Sequence, residues 1–333
     1  MSPLNINGVR YDDRESGGHV ESYFFKATAP DAERAFWIKT TIFRDRTGTR
    51  AEAWAIAFDH RDASRTHVAA KHSLPMSQAS FDRDALEVRW RTDHGDQIHV
   101  SANHLSGRVH TEDHDLSWDL RFESRGAPFI TLPMERMYRS RFPSSKTVTP
   151  HPDASFFGSL TVDGETWSID DWRGMQGHNW GRSHAELYAW LHCNQFNCGD
   201  DLVIEAVSAR IPLGPLRPTM TVIYVRHRGR DFAFHGPREL MTSHGDIGLR
   251  RYSFEAKNRS ARIRGEVDAK TADFVGLYYP NPDGPMTYCL NSKLASLRAR
   301  IEITGTEPID FTSRAAALEI GTRASDHGVR MYV

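Results

Sequence analysis

Hydrophobic and polar residues alternate with a period of two along most of this 333-residue chain, and a helical stripe is hard to find. Such alternation is typical of strands that bury one face. Asp163-Gly164 is the clearest turn, because this pair supplies the positive φ angles that a two-residue hairpin requires. The predicted strands are 20–28, 35–43, 52–58, 97–103, 116–123, 155–171, 186–196, 201–211, 219–227, 231–235, 250–257, 260–268, 287–305 and 309–320.

The spacing of these strands indicates the fold class. They follow one another about every 8–15 residues with no amphipathic helices between them, which argues against βαβ units. Residues 124–153 hold five prolines, and so long a connection is typical of a crossover or of a lid over a site. Each flanking half holds about six to ten strands, enough to close a small barrel. We predict an all-β protein of two consecutive antiparallel β-barrels, residues 1–180 and 181–333.

Composition and charge narrow the class of partner. Lys and Arg number 42 and Asp and Glu number 43, so no excess positive charge favours nucleic acid or an anionic membrane surface. No apolar stretch approaches the roughly 18 residues of a membrane helix, and the N-terminus lacks the pattern of a secretory signal. The three cysteines cannot all pair, which favours a reducing compartment. We expect a cytoplasmic protein that binds a small molecule, in an oligomeric state the sequence does not reveal.

The densest group of polar and aromatic side chains lies within residues 170–181. Its three glycines permit close backbone approach or positive φ. Between them stand Gln176, His178 and Asn179, which can donate, accept or move protons, and two tryptophans flank these groups. Two interpretations stay open: a functional loop, or a packed β-corner whose tryptophans cap a barrel.

The predicted strand 186–196 presents two different faces. Because successive side chains alternate, one face is apolar and the other mixes aromatic and polar groups. Such a mixture is typical of a ligand pocket, so we predict that the mixed face lines a cavity; a register error of one residue would exchange the faces. The mixed face holds Tyr188, Trp190, His192 and Asn194, and the apolar face holds Leu187, Ala189, Leu191 and Cys193.

Glu205 occupies an unusual position in the next predicted strand, on one face with Val203 and Val207. A carboxylate on an apolar face either finds a partner or keeps its proton with a raised pKa. A raised pKa is the property of a general acid. The alternative is an edge strand whose Glu205 faces solvent.

Metal and nucleotide chemistry find little support in the sequence. His94, His99 and His104 are five residues apart, a spacing that places neighbours on opposite faces of a strand. Cys193 and Cys198 lack the second pair of a zinc site, and no HExxH, GxSxG, Walker A or post-strand GxGxxG pattern occurs. We predict no metal site.

The run MQGHNWG at 175–181, preceded by aspartates and followed by an aromatic strand, resembles the hallmark of a lipocalin-like family. That family includes carotenoid 1,2-hydratases (hydroxyneurosporene synthases), AttH-type proteins and, more distantly, tocopherol cyclase. Residues 21–26 with 36–39, and residues 289–295, look similar to it as well. The resemblance implies two consecutive lipocalin-like (calycin) barrels, a pocket in or between them, and chemistry without a metal or organic cofactor.

The resemblance also implies a function: a cofactor-independent lyase or isomerase that hydrates, dehydrates or cyclises a hydrophobic terpenoid, carotenoid-like or polyketide molecule. Such chemistry on an alkene needs an acid, and aromatic faces that stabilise a developing cation. The candidate acids are Glu205, His178 and Asp171. The candidate substrate contacts are Gln176, Asn179, Trp180, Tyr188, Trp190, His192 and Asn194, with Tyr23, Trp37, Asn291 and Lys293 from the other stretches that resemble the family.

Two alternative functions stay open. A non-catalytic carrier of a lipid or isoprenoid needs an apolar cavity but no acid that faces the ligand, so exposure of all three candidate acids to solvent would favour it. A pericyclase that folds its substrate without proton transfer would tolerate acid-to-amide substitutions.

Overall fold

Two curled antiparallel sheets account for nearly all of the regular structure in a computed structural model, which describes residues 5–61, 67–92, 95–140, 142–197, 199 and 201–333. The first part of the chain contains β1 (His19–Thr28), β2 (Arg34–Asp45), β3 (Gly48–Asp59), β4 (Val68–Pro75), β5 (Ala79–Phe81), β6 (Val88–Thr92), β7 (Gly95–Val100), β8 (His104–His110), β9 (Asp115–Ser124), β10 (Phe129–Ile130), α1 (Glu135–Arg139), β11 (Ser145–Val162) and β12 (Glu165–Gly181).

The second part of the chain forms the other sheet. It contains β13 (Leu187–Cys193), β14 (Leu202–Arg210), β15 (Thr219–His227), β16 (Arg230–Phe234), α2 (Pro237–Thr242), β17 (His244–Ile247), β18 (Arg251–Lys257), β19 (Ala261–Asp268), β20 (Val275–Tyr279), β21 (Thr287–Ile303) and β22 (Ile309–Thr322). Short 3₁₀ turns lie at Met76–Gln78 and Thr271–Asp273.

The strand order shows how the sheets are built. The first sheet runs β4-β3-β2-β1-β12-β11-β9-β8-β7-β6-β5, and β10 pairs with β11. The second runs β16-β15-β14-β13-β22-β21-β19-β18-β17, and β20 pairs with β21. The predicted fold class, all-β with two consecutive antiparallel barrels, is confirmed. The chain leaves the first sheet at Gly181 and enters the second at Leu187; a division into domains at residue 180 stays a prediction.

Local sequence explains the central hairpin. Val162 pairs with Glu165 across the Asp163-Gly164 turn, and both turn residues have positive φ, 48° and 87°. These are the angles for which the Asp-Gly pair is suited. The strands β11 and β12 extend from this turn to the centre of the first sheet, so the hairpin carries the MQGHNWG run into the middle of the protein.

Side-chain alternation assigns neighbouring residues of a strand to different apolar clusters, of which the described residues form four. Tyr23 and Phe25 of β1 belong to the core of the first sheet, whereas Phe24 between them points to the opposite side. Leu191 of β13 belongs to the core of the second sheet, whereas Trp190 joins Phe24 in a cluster between the sheets. The two sheets therefore pack against each other through their outer faces.

Residues 124–153 contain more regular structure than predicted, namely β10, α1 and the first part of β11. The segment also contacts the second sheet. Phe129 stacks on Tyr224 with ring centroids 4.0 Å apart, Arg226 donates to the carbonyl of Ala127, and His235 donates to the carbonyl of Thr131 at 3.0 Å. The segment thus belongs to the first sheet and packs on the second.

No helix in the described part of the chain is long and apolar enough to cross a membrane.

Gly177 in the MQGHNWG run permits a close approach that joins the sheets. It pairs with Phe24 of β1, and a Cβ at Gly177 would overlap the phenyl ring. That ring meets the Trp190 indole edge to face, at 5.7 Å between centroids and 90° between planes. The missing side chain therefore leaves room for a contact between the two sheets.

We expect Gly177→Ala to lower the free energy of unfolding by about 1–3 kcal/mol, because the added methyl group overpacks a buried site. Urea-induced unfolding measures this change. Gly248→Ala is the matched control, since a Cβ there meets only ordinary contact distances; its effect should stay within about 0.5 kcal/mol. Equal shifts in the two variants would contradict the packing argument.

Candidate active site

A cavity of about 530 Å³ lies between the two sheets. Strands β1, β2 and β12 form one side, β13 to β15 form the other, and residues 131–133, 137 and 142–147 form part of the wall. Mostly apolar cavities of this size hold small organic molecules in many proteins. The aromatic residues that line it are Phe24, Trp37, Phe142, Trp180, Tyr188, Trp190 and Tyr279.

The structure brings several of the predicted substrate contacts to this cavity. Trp37 reaches it from β2, Asn179 and Trp180 from the end of β12, and Tyr188 and Trp190 from β13. These residues are far apart in sequence and meet because the outer faces of the two sheets meet. Substrate binding by them stays a prediction.

Tyr188 occupies space that a glycine leaves free. A Cβ at Gly321, its partner in β22, would overlap the Tyr188 ring. Burial raises the pKa of Tyr188 well above its usual value, and the nearby Cys289 and Glu319 add to the shift. The side chain is therefore a neutral phenol, which can donate a hydrogen bond to a bound molecule.

His192 and Asn194 lie on the same side of the sheet as Trp190, but below the cavity. His192 Nε2 donates to the carbonyl of Pro152 at 2.7 Å, and Asn194 Nδ2 donates to Asp153 Oδ1 at 2.8 Å. Burial, with the charge of Lys26, lowers the pKa of His192 well below its usual value, so its ring is neutral. The opposite face alternates as predicted, since Ala189, Leu191 and Cys193 lie in the core of the second sheet and Leu187 is half-buried.

Glu205 lies behind the Trp190 indole and does not line the cavity. Its Oε1 accepts from Trp190 Nε1 at 2.9 Å, and its Oε2 accepts from Thr149 Oγ1 at 2.6 Å. The alternative of a solvent-facing carboxylate is wrong, because Glu205 is only 2% exposed. Burial raises the pKa of Glu205, and the hydrogen bonds from Thr149 and Trp190 oppose that shift.

His178 is buried on the side of β12 that faces away from the cavity. Its Nδ1 donates to the carbonyl of Ile6 at 2.7 Å, and its Nε2 lies 2.9 Å from Glu21 Oε1. Glu21 also accepts the backbone N–H of Arg10 at 2.7 Å. Burial would raise the pKa of Glu21, but hydrogen bonds from His178 and His19 lower it to about 2. His178 therefore fastens the N-terminal segment to the first sheet.

Gln176 and Tyr23 share this structural task. Gln176 Nε2 donates to Asn7 Oδ1 at 3.3 Å, and the Tyr23 hydroxyl donates to the Asn7 carbonyl at 3.0 Å. Tyr23 also stacks on His178 with ring centroids 4.2 Å apart. These predicted substrate contacts hold the chain's own N-terminal residues in the structure.

Asp171 is exposed, at a φ of 50° in β12, and does not line the cavity. The structure does not bring this candidate acid near the other two. The sequence placed it in the same cluster as His178, but the six intervening residues of an extended strand carry it far along the sheet.

Asn291 and Lys293 lie behind another carboxylate, that of Glu319. Lys293 Nζ donates to Glu319 Oε1 at 2.9 Å and to Asn291 Oδ1. Burial lowers the pKa of Lys293, and the charge of Glu319 opposes that shift. Glu319 itself lines the cavity. Lys293 therefore contacts a residue of the cavity wall, and Asn291 in turn contacts Lys293.

Sequence reasoning missed Lys39 and Glu319, which both line the cavity. Each is a charged residue within an apolar strand, FWIKT and AALEI. That is the signal that singled out Glu205. Applied to every predicted strand, it would have found all three.

Among the described residues, no three His, Cys, Asp or Glu side chains are grouped so that they could hold a metal ion. His94 and Cys198, whose spacing raised the question of a metal site, lie outside the described residues.

Comparison with known proteins identifies relatives across most of the chain. Residues 17–322 match the family model described as tocopherol cyclase-like. Two Mycobacterium tuberculosis proteins are each 31% identical over 297 residues, which is 88% of this chain and 83% of theirs. They are named Uncharacterized protein MT0513 (strain CDC 1551 / Oshkosh) and Uncharacterized protein Rv0493c (strain ATCC 25618 / H37Rv).

Solved structures with the same fold cover nearly the whole chain. CghA with Sch210972 has a TM-score of 0.60 at 14% identity, covering 98% of this chain and 97% of that one. Kievitone hydratase from Nectria haematococca has a TM-score of 0.53 at 11% identity, covering 94% and 90%. A putative AttH (NE1406) from Nitrosomonas europaea has a TM-score of 0.50 at 10% identity, covering 99% and 100%.

These likenesses confirm the predicted lipocalin-like architecture, and the family match confirms what the MQGHNWG run resembles. The chain belongs to the tocopherol cyclase-like family.

Proposed function

We propose that this protein is a lyase or isomerase of the hydratase, dehydratase or cyclase type, which converts a hydrophobic small molecule in the cavity between its two sheets. The observation that carries the proposal is the wall of that cavity, where aromatic side chains surround a few polar groups. One structural neighbour is a hydratase, and the family is described as cyclase-like. A terpenoid, carotenoid-like or polyketide molecule suits such a wall.

The wall can promote such a reaction in two ways. It holds a flexible apolar molecule in one conformation, which brings reacting atoms together. The indoles of Trp37 and Trp190 can stabilise a developing cation, while the Tyr188 phenol and the Glu319 carboxylate can donate and accept hydrogen bonds.

The carboxylates in the cavity wall bear on whether the reaction uses an acid. The carboxylates that line the cavity in the described residues are Glu186, 3.8 Å from Arg210, and Glu319, paired with Lys293. Because both have cationic partners, neither is suited to protonate carbon. A cyclase that folds its substrate without proton transfer is therefore the second candidate. A carrier needs no acid that faces its ligand, and none of the three predicted acids lines the cavity, so turnover of a retained molecule decides between a carrier and an enzyme.

The first test uses an extract of the cells that make the protein. We expect native mass spectrometry to detect a retained small molecule, which turnover then changes. Hydration adds the mass of one water, dehydration removes it, and cyclisation alters chromatographic retention at constant mass. Trp190→Ala should abolish retention, whereas Asp171→Asn, outside the cavity, should change nothing. A molecule that is retained and recovered unaltered would point to the carrier.

Substitutions of Glu205 test whether turnover depends on an acid or on the position of the Trp190 indole. We propose that Glu205 orients Trp190, so Glu205→Gln, which keeps an acceptor for the indole N–H, should hold kcat within about tenfold of wild type. Glu205→Ala leaves the indole without its acceptor and should raise KM and lower stability by about 1–3 kcal/mol. A loss of about 10²-fold or more in kcat for the Gln variant would instead establish the acid role predicted from the sequence.

His178→Asn should affect stability. Breaking the buried contact with Glu21 should cost about 2–4 kcal/mol in urea unfolding, whereas His104→Asn, which breaks a surface pair with Asp119, should cost about 1 kcal/mol or less. Because the pKa of Glu21 is lowered from 4.5 to about 2, its stabilising effect is complete above 4.5 and is lost as the pH falls toward 2. The Asn variant should show less of this acid dependence.

A further inference from the structure

Lys39 faces the cavity without an acceptor for its charge. The side chain is 5% exposed and lines the cavity. Its Nζ lies over three rings, 3.9 Å from the centroid of Tyr279, 4.5 Å from Trp54 and 5.1 Å from Trp37. Among the described residues, no oxygen atom accepts a hydrogen bond from this ammonium group.

The ring contacts compensate only part of what the ammonium loses when it leaves water. Cation–π attraction is weaker than the hydration of an ammonium ion. Burial accordingly lowers the pKa of Lys39 to about 8, although the nearby Cys289, Glu52 and Glu319 oppose the shift. At neutral pH the group still carries its charge, and it lies in the wall of the cavity.

The surrounding carboxylates are already occupied by other cations. Glu52 pairs with Lys71 at 3.0 Å and with Arg50 at 2.9 Å, and Glu319 pairs with Lys293 at 2.9 Å. Arg50 also pairs with Asp45 at 3.4 Å, so four cations face three carboxylates, which leaves a surplus of one positive charge; the cations are Lys39, Lys71, Arg50 and Lys293, and the carboxylates are Asp45, Glu52 and Glu319.

Most of the charged side chains that line a groove beside the cavity are also positive. The groove has a volume of about 810 Å³ and shares Trp180 and Lys146 with the cavity wall. Such a concentration of charge attracts anions to the opening. The charged groups lining the groove are Arg10, Arg14, Arg139, Lys146 and Arg182 against a single carboxylate in the described lining, that of Glu15.

We propose that Lys39 binds an anionic oxygen group of the ligand, so that the substrate class is a hydrophobic molecule bearing a carboxylate, phenolate or enolate. This inference rests on the proposed function and specifies its substrate. The aromatic wall holds the apolar body, while the ammonium, freed from water by its ring contacts, holds the oxygen anion and fixes the orientation of the molecule.

Two fluorescent probes of one skeleton test the proposal: 1-anilinonaphthalene-8-sulfonate, which is anionic, and N-phenyl-1-naphthylamine, which is neutral. We expect Lys39→Met to weaken binding of the anionic probe tenfold or more, about 1.4 kcal/mol. The neutral probe should bind within about threefold of wild type, because it uses only the apolar wall. Equal weakening of both probes, or no change in either, would overturn the proposal.

Lys26 provides a matched control. It is fully buried on β1, its Nζ has no hydrogen-bond partner among the described residues, and burial lowers its pKa to about 8, yet it does not line the cavity. Lys26→Met should leave the affinity ratio of the two probes unchanged. Lys146→Met separates the groove from the cavity: if it alone weakens the anionic probe, the anion binds at the opening and the role of Lys39 is wrong.

Should Lys39→Met fail to fold, wild-type protein gives the answer. The ratio of anionic to neutral affinity should fall about tenfold from about pH 7 to about pH 10, as Lys39 loses its proton; a constant ratio would overturn the proposal. Of the titratable groups nearby, Lys71 and Lys293 each keep a carboxylate partner. Burial raises the pKa of Cys289 to about 12 and that of Tyr279 well above its usual value, and it lowers the pKa of His184 to about 3. The titratable groups that face Lys39 are Glu52 on β3, Lys71 on β4, Tyr279 on β20, Cys289 and Lys293 on β21, Glu319 on β22, and His184.

The two probes also separate this proposal from the proposed function. If the neutral probe binds and the charge makes no difference, only the role of Lys39 fails. If neither probe binds to wild-type protein, the cavity is not a binding site and both proposals fail.

Discussion

Charge buried between two packed sheets is the constraint on which this structure depends. The sheets meet through outer faces that carry indoles, lysines and carboxylates, and an ion removed from water needs a partner there. Lys293 has Glu319, Arg173 has Asp153 at 2.6 Å, and Glu205 has Trp190 and Thr149. Most of these contacts lie within one sheet, whereas the hydrogen bond from Thr149 of β11 to Glu205 of β14 joins the two sheets.

Much of the fold could be predicted from the sequence, because period-two alternation and turn chemistry are local signals. The Asp163-Gly164 hairpin and the two faces of β13 follow from neighbouring residues alone. Strand β8, HLSGRVH, was missed because only Leu105 and Val109 of its residues are buried, too few to show alternation. The candidate site was harder to predict, since alternation separates the two sides of a strand but does not give depth. Trp190 and His192 share a side, yet one lines the cavity and the other is sealed beneath it.

Some predicted site residues have a different role in the structure because their hydrogen-bond partners are distant in sequence. His178 stands in the motif that resembles a family hallmark, but its partners Ile6 and Glu21 are 172 and 157 residues away. The sequence offers no means to tell a histidine that binds substrate from one that binds its own N-terminal segment. The same holds for Glu205, whose hydrogen bond to Thr149 joins the two sheets.

Because the cavity lies between the sheets, one side of a strand stabilises the core and the other side faces the cavity. Leu191 stabilises the core of the second sheet, and its neighbour Trp190 faces the cavity. Substitutions at cavity positions therefore leave both cores intact, so that in evolution the choice of ligand can change while the fold is conserved. Such a protein can acquire a new ligand through single substitutions at the interface between its sheets, without compensating substitutions in either barrel.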